Sequence, residues 1–282
     1  MINVMFWNIN KKNGFEQVIC DVIQNESVDL LLLAEAENVN DTLILNGSGL
    51  QRKKSPNTGD QIKLTPRFYA NNRGFSLDHY STASATKRLV FTILEIPNKP
   101  WILLCGIHFP SKIHYKGETQ KDIASSYVNW IKEIEDQDRR TIVFGDFNMN
   151  PFEPGMISPK TFNATLSRIV ALNGYRTFQN EGHDYFYNPM WSFMGDQNFE
   201  SGLDKLPGSK YFETTTDSEI VYWNVFDKVI IRPQLINELD LPSITLLEKS
   251  GNHQFITNNN GEYTFDTNNY SDHLPLTFKI II

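Results

Sequence analysis

Short apolar runs separated by amphipathic stretches organise the start of the chain. Residues 2–7 (Ile-Asn-Val-Met-Phe-Trp) read as a short buried strand. Phe15, Val18, Ile19, Val22 and Ile23 recur at helical spacing and predict an amphipathic helix of about three turns. Val28 to Ala34 is continuously apolar, which suits a strand covered on both faces. The opening is therefore strand, helix, strand.

Residues 37–66 read as polar loop, with Asn-Gly, Ser-Gly and Pro-Asn turn signals. Two β-rich stretches follow, Lys87–Ile96 and Trp101–Ile107, joined by a turn at Pro97-Asn98-Lys99-Pro100. Ile123, Tyr127, Trp130, Ile131 and Ile134 share one face of a second helix, and Thr141–Phe144 is the next buried strand. Phe162, Leu166, Ile169 and Val170 mark a third helix, stopped by Asn173-Gly174. Further strands are expected over Glu219–Ile231 and Leu274–Ile282. No repeat, low-complexity tract or Pro/Gly/Ser linker divides this pattern, so residues 1–282 are expected to form a single α/β domain.

Composition changes this picture little: 40% hydrophobic and 21% charged residues are ordinary for a globular chain. The formal charge of −7 excludes a globally basic, sequence-independent nucleic-acid surface. It does not exclude a nucleic-acid substrate, because an enzyme that grips phosphate through a cation needs only local positive charge. Cys20 and Cys105 are expected as buried free thiols. The first residues carry no basic leader followed by a long apolar stretch, and no apolar run approaches the ~20 residues that cross a bilayer. A cytoplasmic monomer is the expectation.

The polar residues that need explaining lie where apolar strands end. Asn8 and Asn10 follow the first strand, Glu35 follows Leu30–Ala34, and His108 follows Leu103–Ile107. Asp146 and Asn148 follow Ile142–Gly145, while Asp272 and His273 immediately precede Leu274-Pro275-Leu276. One rim of strand ends is where α/β folds build sites. Taken singly, each has a plainer reading as a solvated strand end or an Asx turn. Asp227 is sharper, because a period of two sets it on one face with Val225, Val229 and Ile231. A carboxylate there must find a partner, either backbone amides or a histidine that it orients. This set of oxygen donors suits a hard cation, Mg²⁺ or Mn²⁺, and the missing thiolate cluster argues against structural zinc.

In this order, the residues resemble the endonuclease/exonuclease/phosphatase superfamily. The matching pieces are Phe-Trp-Asn8-Ile-Asn10, Leu-Leu-Ala-Glu35, Gly-Ile-His108, Gly-Asp146-Phe-Asn148, Phe-Asp227-Lys-Val-Ile and Ser-Asp272-His273-Leu-Pro. The resemblance implies a four-layer α-β-β-α sandwich of two packed mixed β-sheets flanked by helices. By the same similarity Glu35 is the principal metal ligand, with Asn8, Asn10 and Asp272 helping to hold the ion or its waters. Asp146 and Asn148 contact the phosphate and position the nucleophile. His273, oriented by Asp227, acts as general base or stabilises the attacking water, and His108 binds a non-bridging oxygen or protonates the leaving oxygen. Asn10 stands where some members carry an acid, which leaves the number of metal ions open.

For the substrate, a nuclease acting on DNA or RNA is the first expectation. A phosphatase or phosphodiesterase on an inositol phosphate, lipid head group or other small ester is the second, and a degenerate phosphate-binding module the third. The aromatic stretch Asp184–Phe193 stacks on unpaired bases, inserts toward lipid, or packs as a satellite core. Arg52, Lys53 and Lys54, with Arg73, Lys87 and Lys112, are candidate phosphate contacts or solvated surface charges.

Overall fold

Strand β1 (Ile2–Asn8) and strand β2 (Leu30–Ala34) run parallel, with Val4 opposite Leu30 and Asn8 opposite Ala34. Helix α1 (Glu16–Asn25) makes the crossover and buries Ile19, Cys20, Val22 and Ile23. Leu30 to Leu33 are wholly buried; each such side chain stabilises the fold by about 1.5–3 kcal/mol. In the computed structural model, residues 1–53, 66–71, 73–80, 87–112, 115, 117–135, 137–197, 205–212, 221–259 and 262–281 are described.

After β2 the chain forms helix α2 (Asp41–Ser48) and strand β3 (Gln51–Lys53), where the sequence pattern reads as loop. Ile44 is the one buried residue of α2, so no apolar stripe announces it. Local chemistry makes the helix instead: the Asn40 side chain caps Thr42 N at 3.0 Å, and Gly49 closes it at φ 76°. Strands β4 (Arg67–Ala70), β5 (Ser76–Tyr80), β6 (Leu89–Glu95) and β7 (Ile102–His108) follow. The expected β6–β7 hairpin is present, turning where Asn98 adopts φ 62°. Helix α3 (Gly117–Ile134) then leads to β8 (Thr141–Asp146).

The predicted third helix is absent in that form. Asn163 takes φ 47° and ties its amide to His183 O at 2.8 Å, which stops a helix from running through it. A two-residue strand, Ala164–Thr165, and a four-residue helix, Arg168–Ala171, stand there instead. Leu166 and Ile169 are 58% and 77% exposed, so they are not a core stripe. The predicted strand to Ile231 is also broken. Trp223–Asn224 pairs with Lys210–Tyr211, and a separate strand spans Asp227–Ile231. The Ser209 hydroxyl takes the amides of Phe226 and Asp227 at 3.2 and 3.1 Å, diverting them from a ladder. The last strand is Leu276–Ile280, shorter than expected because Leu274 N bonds Ser209 O and Pro275 has no N–H. Lys54, residues 219–220 and Ile282 lie outside the described residues.

Two mixed sheets result. The six-stranded sheet runs Leu239–Leu246, Leu276–Ile280, β1, β2, β4, β3. The seven-stranded sheet runs β5, β6, β7, β8, Asp227–Ile231, Phe186–Tyr187, Ala164–Thr165. They pack face to face, with the Phe144 ring 5.9 Å from Phe68 and 5.4 Å from Phe278. Outside, α3 covers the second sheet, its Ala124, Tyr127, Val128 and Ile131 packing with Leu103, Cys105, Ile107 and Val143. With α1 and α2 against the first sheet, this is the four-layer α-β-β-α sandwich. Cys20 and Cys105 are buried free thiols. Among the described residues no helix is long and apolar enough to cross a membrane.

Candidate active site

The strand ends converge at one end of the sandwich. Asn8 closes β1, Glu35 follows β2, and His108 ends β7 directly opposite Asp146, which ends the parallel β8. Asp227, across the antiparallel pair, lies opposite Asp146 in turn. This close approach needs Gly145: its φ is 141°, and a Cβ there would lie 2.0 Å from Ile107 O. Asn10, Glu35 and Asn148 adopt φ of 47°, 50° and 47°. Asn tolerates that region; for Glu35 it stores strain of about 1–3 kcal/mol, a cost that concentrates at functional positions.

Asp227 is fully buried, and both its oxygens face His273 Nδ1, at 3.0 and 2.9 Å. Nδ1 therefore carries the proton and Nε2 is left for chemistry. Burial lowers the imidazole pKa, but the charge and hydrogen bond of Asp227 outweigh it and hold the ring above its ordinary value. The backbone around His273 is fixed as tightly. Trp7 Nε1 donates to His273 O at 2.9 Å, and His273 N donates to Ser271 Oγ at 3.1 Å. That hydroxyl donates onward to Asn8 O at 2.6 Å.

Asp146 accepts Asn148 N at 2.8 Å on one oxygen, and the side-chain amides of Asn148 and Asn8 at 3.0 and 3.1 Å on the other. Asn148 also donates to Phe109 O at 2.8 Å. Glu35 Oε1 lies 3.4 Å from both Asn8 Nδ2 and His108 Nε2. Burial raises the Glu35 pKa, but His108, Asn8 and Lys11 outweigh it and bring the carboxyl down to about 2. His108 Nδ1 is buried without a hydrogen-bond partner. Asp272 accepts Asn10 Nδ2 at 3.1 Å on one oxygen and the Lys210 ammonium on the other. Burial raises its pKa, but the His273 and Lys210 charges prevail and lower it. Every site residue expected from the sequence thus belongs to one connected constellation.

The donor set fits a hard divalent ion. Glu35 stays ionised and keeps its side chain 21% exposed, with Lys11 Nζ 3.9 Å from Oε2. Asp146, Asp227 and His273 also bring ligand-type atoms within 4.8 Å of one another. Of the two carboxylates Asp227 and Glu35, the latter is open to an ion arriving from solvent, because both Asp227 oxygens already hold the imidazole.

The Endonuclease/Exonuclease/phosphatase family model matches residues 5–273. The protein belongs to that family. It is therefore a metal-dependent phosphoester hydrolase. Similar solved structures include an AP endonuclease from Archaeoglobus fulgidus, at 12% identity and TM-score 0.54, covering 100% of both chains. The human Nocturnin catalytic domain has 15% identity and TM-score 0.56, covering 98% of this chain and 92% of its own. A mannosyl-6-phosphatase from Bacteroides thetaiotaomicron has 11% identity and TM-score 0.56, covering 100% of both. At these identities the likeness is one of fold. A search of curated proteins finds no match.

Several residues that shape this family member's site have no local signal in the sequence. Lys210 reaches Asp272 from a hairpin of two-residue strands. Lys228, fully buried, donates to Met149 O and Phe226 O at 2.6 and 3.1 Å, beneath the turn carrying Asp146 and Asn148. Asn150 bonds Asn224 Oδ1 at 2.8 Å and Val225 N at 3.0 Å, tying that turn to the same hairpin. Of the expected basic contacts, Arg52 pairs with Asp41 at 2.6 Å and Lys112 pairs with Glu153. Arg73 and Lys87 are exposed. The aromatic stretch packs: Phe186 and Met190 are buried, and the Arg232 guanidinium lies 3.9 Å over the Phe186 ring.

Proposed function

We propose that the protein is a nuclease, hydrolysing phosphodiester bonds of DNA or RNA by in-line attack of water. The hydrolytic part is supported by one observation above the others: a fully buried Asp227 holds His273 Nδ1, which leaves Nε2 as the nitrogen to take a proton from water. Asp227 balances the imidazolium that forms. Asp146 fixes the amide planes of Asn8 and Asn148; three N–H groups occupy it, which leaves one of its roughly four lone-pair positions for the attacking water. Asn148 orients the phosphate with it. His108 Nε2 contacts a non-bridging oxygen or gives a proton to the leaving oxygen. Glu35 and Asn8 would hold a Mg²⁺ or Mn²⁺ ion, with Asn10 and Asp272 against its waters; when bound, the ion neutralises charge on the phosphate.

Nucleic acid is favoured by the hairpin beside the site. Phe212 and Tyr222 are exposed further along the hairpin that carries Lys210, with Tyr222 stacked on Tyr211, and their open faces could take unpaired bases. A small phosphate ester is the second reading, favoured by the charge of −7 and by the pairing of Arg52 and Lys112 with acids. Incubation with plasmid, single-stranded DNA and RNA, each with Mg²⁺ or excess chelator, tests the proposal. Metal-dependent cleavage of a nucleic acid is expected. Intact nucleic acids alongside hydrolysis of bis-p-nitrophenyl phosphate would transfer the assignment to small esters.

A further inference from the structure

Lys210 is placed with unusual care for a lysine. Its side chain is only 14% exposed, a burial that costs desolvation unless the ammonium is paired. Its backbone forms an antiparallel bridge with His273, and Leu274 N donates to Ser209 O at 3.1 Å beside it. Residues opposite one another in such a bridge project to the same face. The ammonium is therefore delivered to the side of the sheet where the His273 imidazole lies, and it donates to Asp272 Oδ2.

The other oxygen of Asp272 is also taken. Asn10 Nδ2 donates to Oδ1 at 3.1 Å, and the Asn10 backbone N is held by Asn8 Oδ1 at 3.0 Å. The residue type at position 10 decides what this contact requires. Two carboxylates at that separation would repel unless a cation sat between them. An amide and a carboxylate satisfy each other directly and need no ion. Asp272 thus reaches electrostatic balance with groups of the chain itself.

We propose that Lys210 is the second cation of this centre: with Asn10 it occupies Asp272, so the site takes one divalent ion, at Glu35, rather than two. The inference rests on the metal-dependent hydrolase reading given above. It has a chemical consequence. Two-metal phosphoesterases place ions about 3.5–4 Å apart to stabilise the attacking and leaving oxygens. Here the positive charge at Asp272 is a permanently attached ammonium, which balances that carboxylate by hydrogen bonding and adds no Lewis acidity.

Counting bound Mn²⁺ tests this without turnover. The full chain is titrated with Mn²⁺, and the free ion is read by electron paramagnetic resonance. The wild type is expected to saturate at one ion per chain. In Lys210→Met/Asn10→Asp the ammonium is gone and an acid pair replaces the amide contact, so a second ion is expected to bind. Two ions on the wild type overturn the proposal. So does a folded double variant that still binds one, because Lys210 and Asn10 would then not be what excludes the second. If the double variant melts before titration, Lys210→Met alone is titrated: it frees the Asp272 oxygen that the ammonium held, so a second ion supports the proposal and a count of one overturns it. A wild type that binds no Mn²⁺ and leaves bis-p-nitrophenyl phosphate intact removes the hydrolase reading itself, a different failure from a count of two.

Discussion

The two sheets build opposite halves of the same site. The half formed by β1 and β2 is loosely held: Glu35 is partly exposed, takes left-handed backbone, and has contacts of 3.4 Å and longer. The half centred on β8 and Asp227–Ile231 is tightly held: Asp227 and Asp146 are buried and each oxygen has a donor within 3.1 Å. The first half is built to receive something from solvent, and the second to hold an orientation fixed before anything arrives. Substitutions in the two halves should therefore fail differently.

The largest effect is expected at His273, which precedes strand Leu276–Ile280 of the first sheet but is held by Asp227 of the fixed half. His273→Ala should lower turnover of bis-p-nitrophenyl phosphate by about 10²–10⁴-fold, the usual worth of a general base. It should also weaken the fold at neutral pH by about 3–5 kcal/mol, because it strands a buried carboxylate. Asp227→Asn added to His273→Ala should recover much of that stability in urea unfolding and none of the activity. If the single variant keeps full stability, Asp227 is not the dependent partner described above. If it keeps activity, another group accepts the proton.

In the receiving half the outcome is reversed. Glu35→Gln should raise the Mg²⁺ concentration for half-maximal activity by roughly tenfold or more, with a smaller loss of stability than His273→Ala, because Glu35 is partly exposed and solvent screens the contacts that hold its carboxyl down. An unchanged metal titration would erase the distinction between the halves. A large loss of stability would do the same from the other side.

What could be read from the sequence follows the same division of physical causes. Continuous apolar runs such as Leu30–Ala34 and Leu103–Ile107 name their strands, and strands fix where their ends go, so pattern alone puts Glu35 and His108 at strand ends. Bringing them together with His273 took the resemblance, since nothing local relates residues this far apart in the chain. Where a few hydrogen bonds rather than a stripe make an element, the pattern misled: α2 rests on an Asn cap, and Asn163 ends a helix that Phe162, Leu166 and Ile169 would otherwise suggest. Lys210 was invisible for a related reason. An isolated lysine in a polar stretch reads as solvated surface until its bridge to His273 shows where it points.

The last effect lies behind the fixed half and concerns stability alone. Lys228 neighbours Asp227 on the strand but faces the helix-side layer, its ammonium 4.9 Å from the Phe147 ring centre. Burial pushes its pKa down, against the opposing charges of Asp146, Asp227 and Glu153, to about 7. The unfolded chain keeps an ordinary lysine near 10.5. Below about pH 7 both states are protonated and the burial penalty acts in full. Between about 7 and 10.5 the unfolded state binds more protons, so stability rises with pH, by at most about 1.4 kcal/mol per unit for one proton. Lys228→Met removes that group and no other, so urea midpoints of wild type and variant should diverge between pH 7 and 9.5, the wild type gaining. Parallel profiles would mean that Lys228 is charged in both states across the range, and that its two carbonyl bonds alone offset the burial.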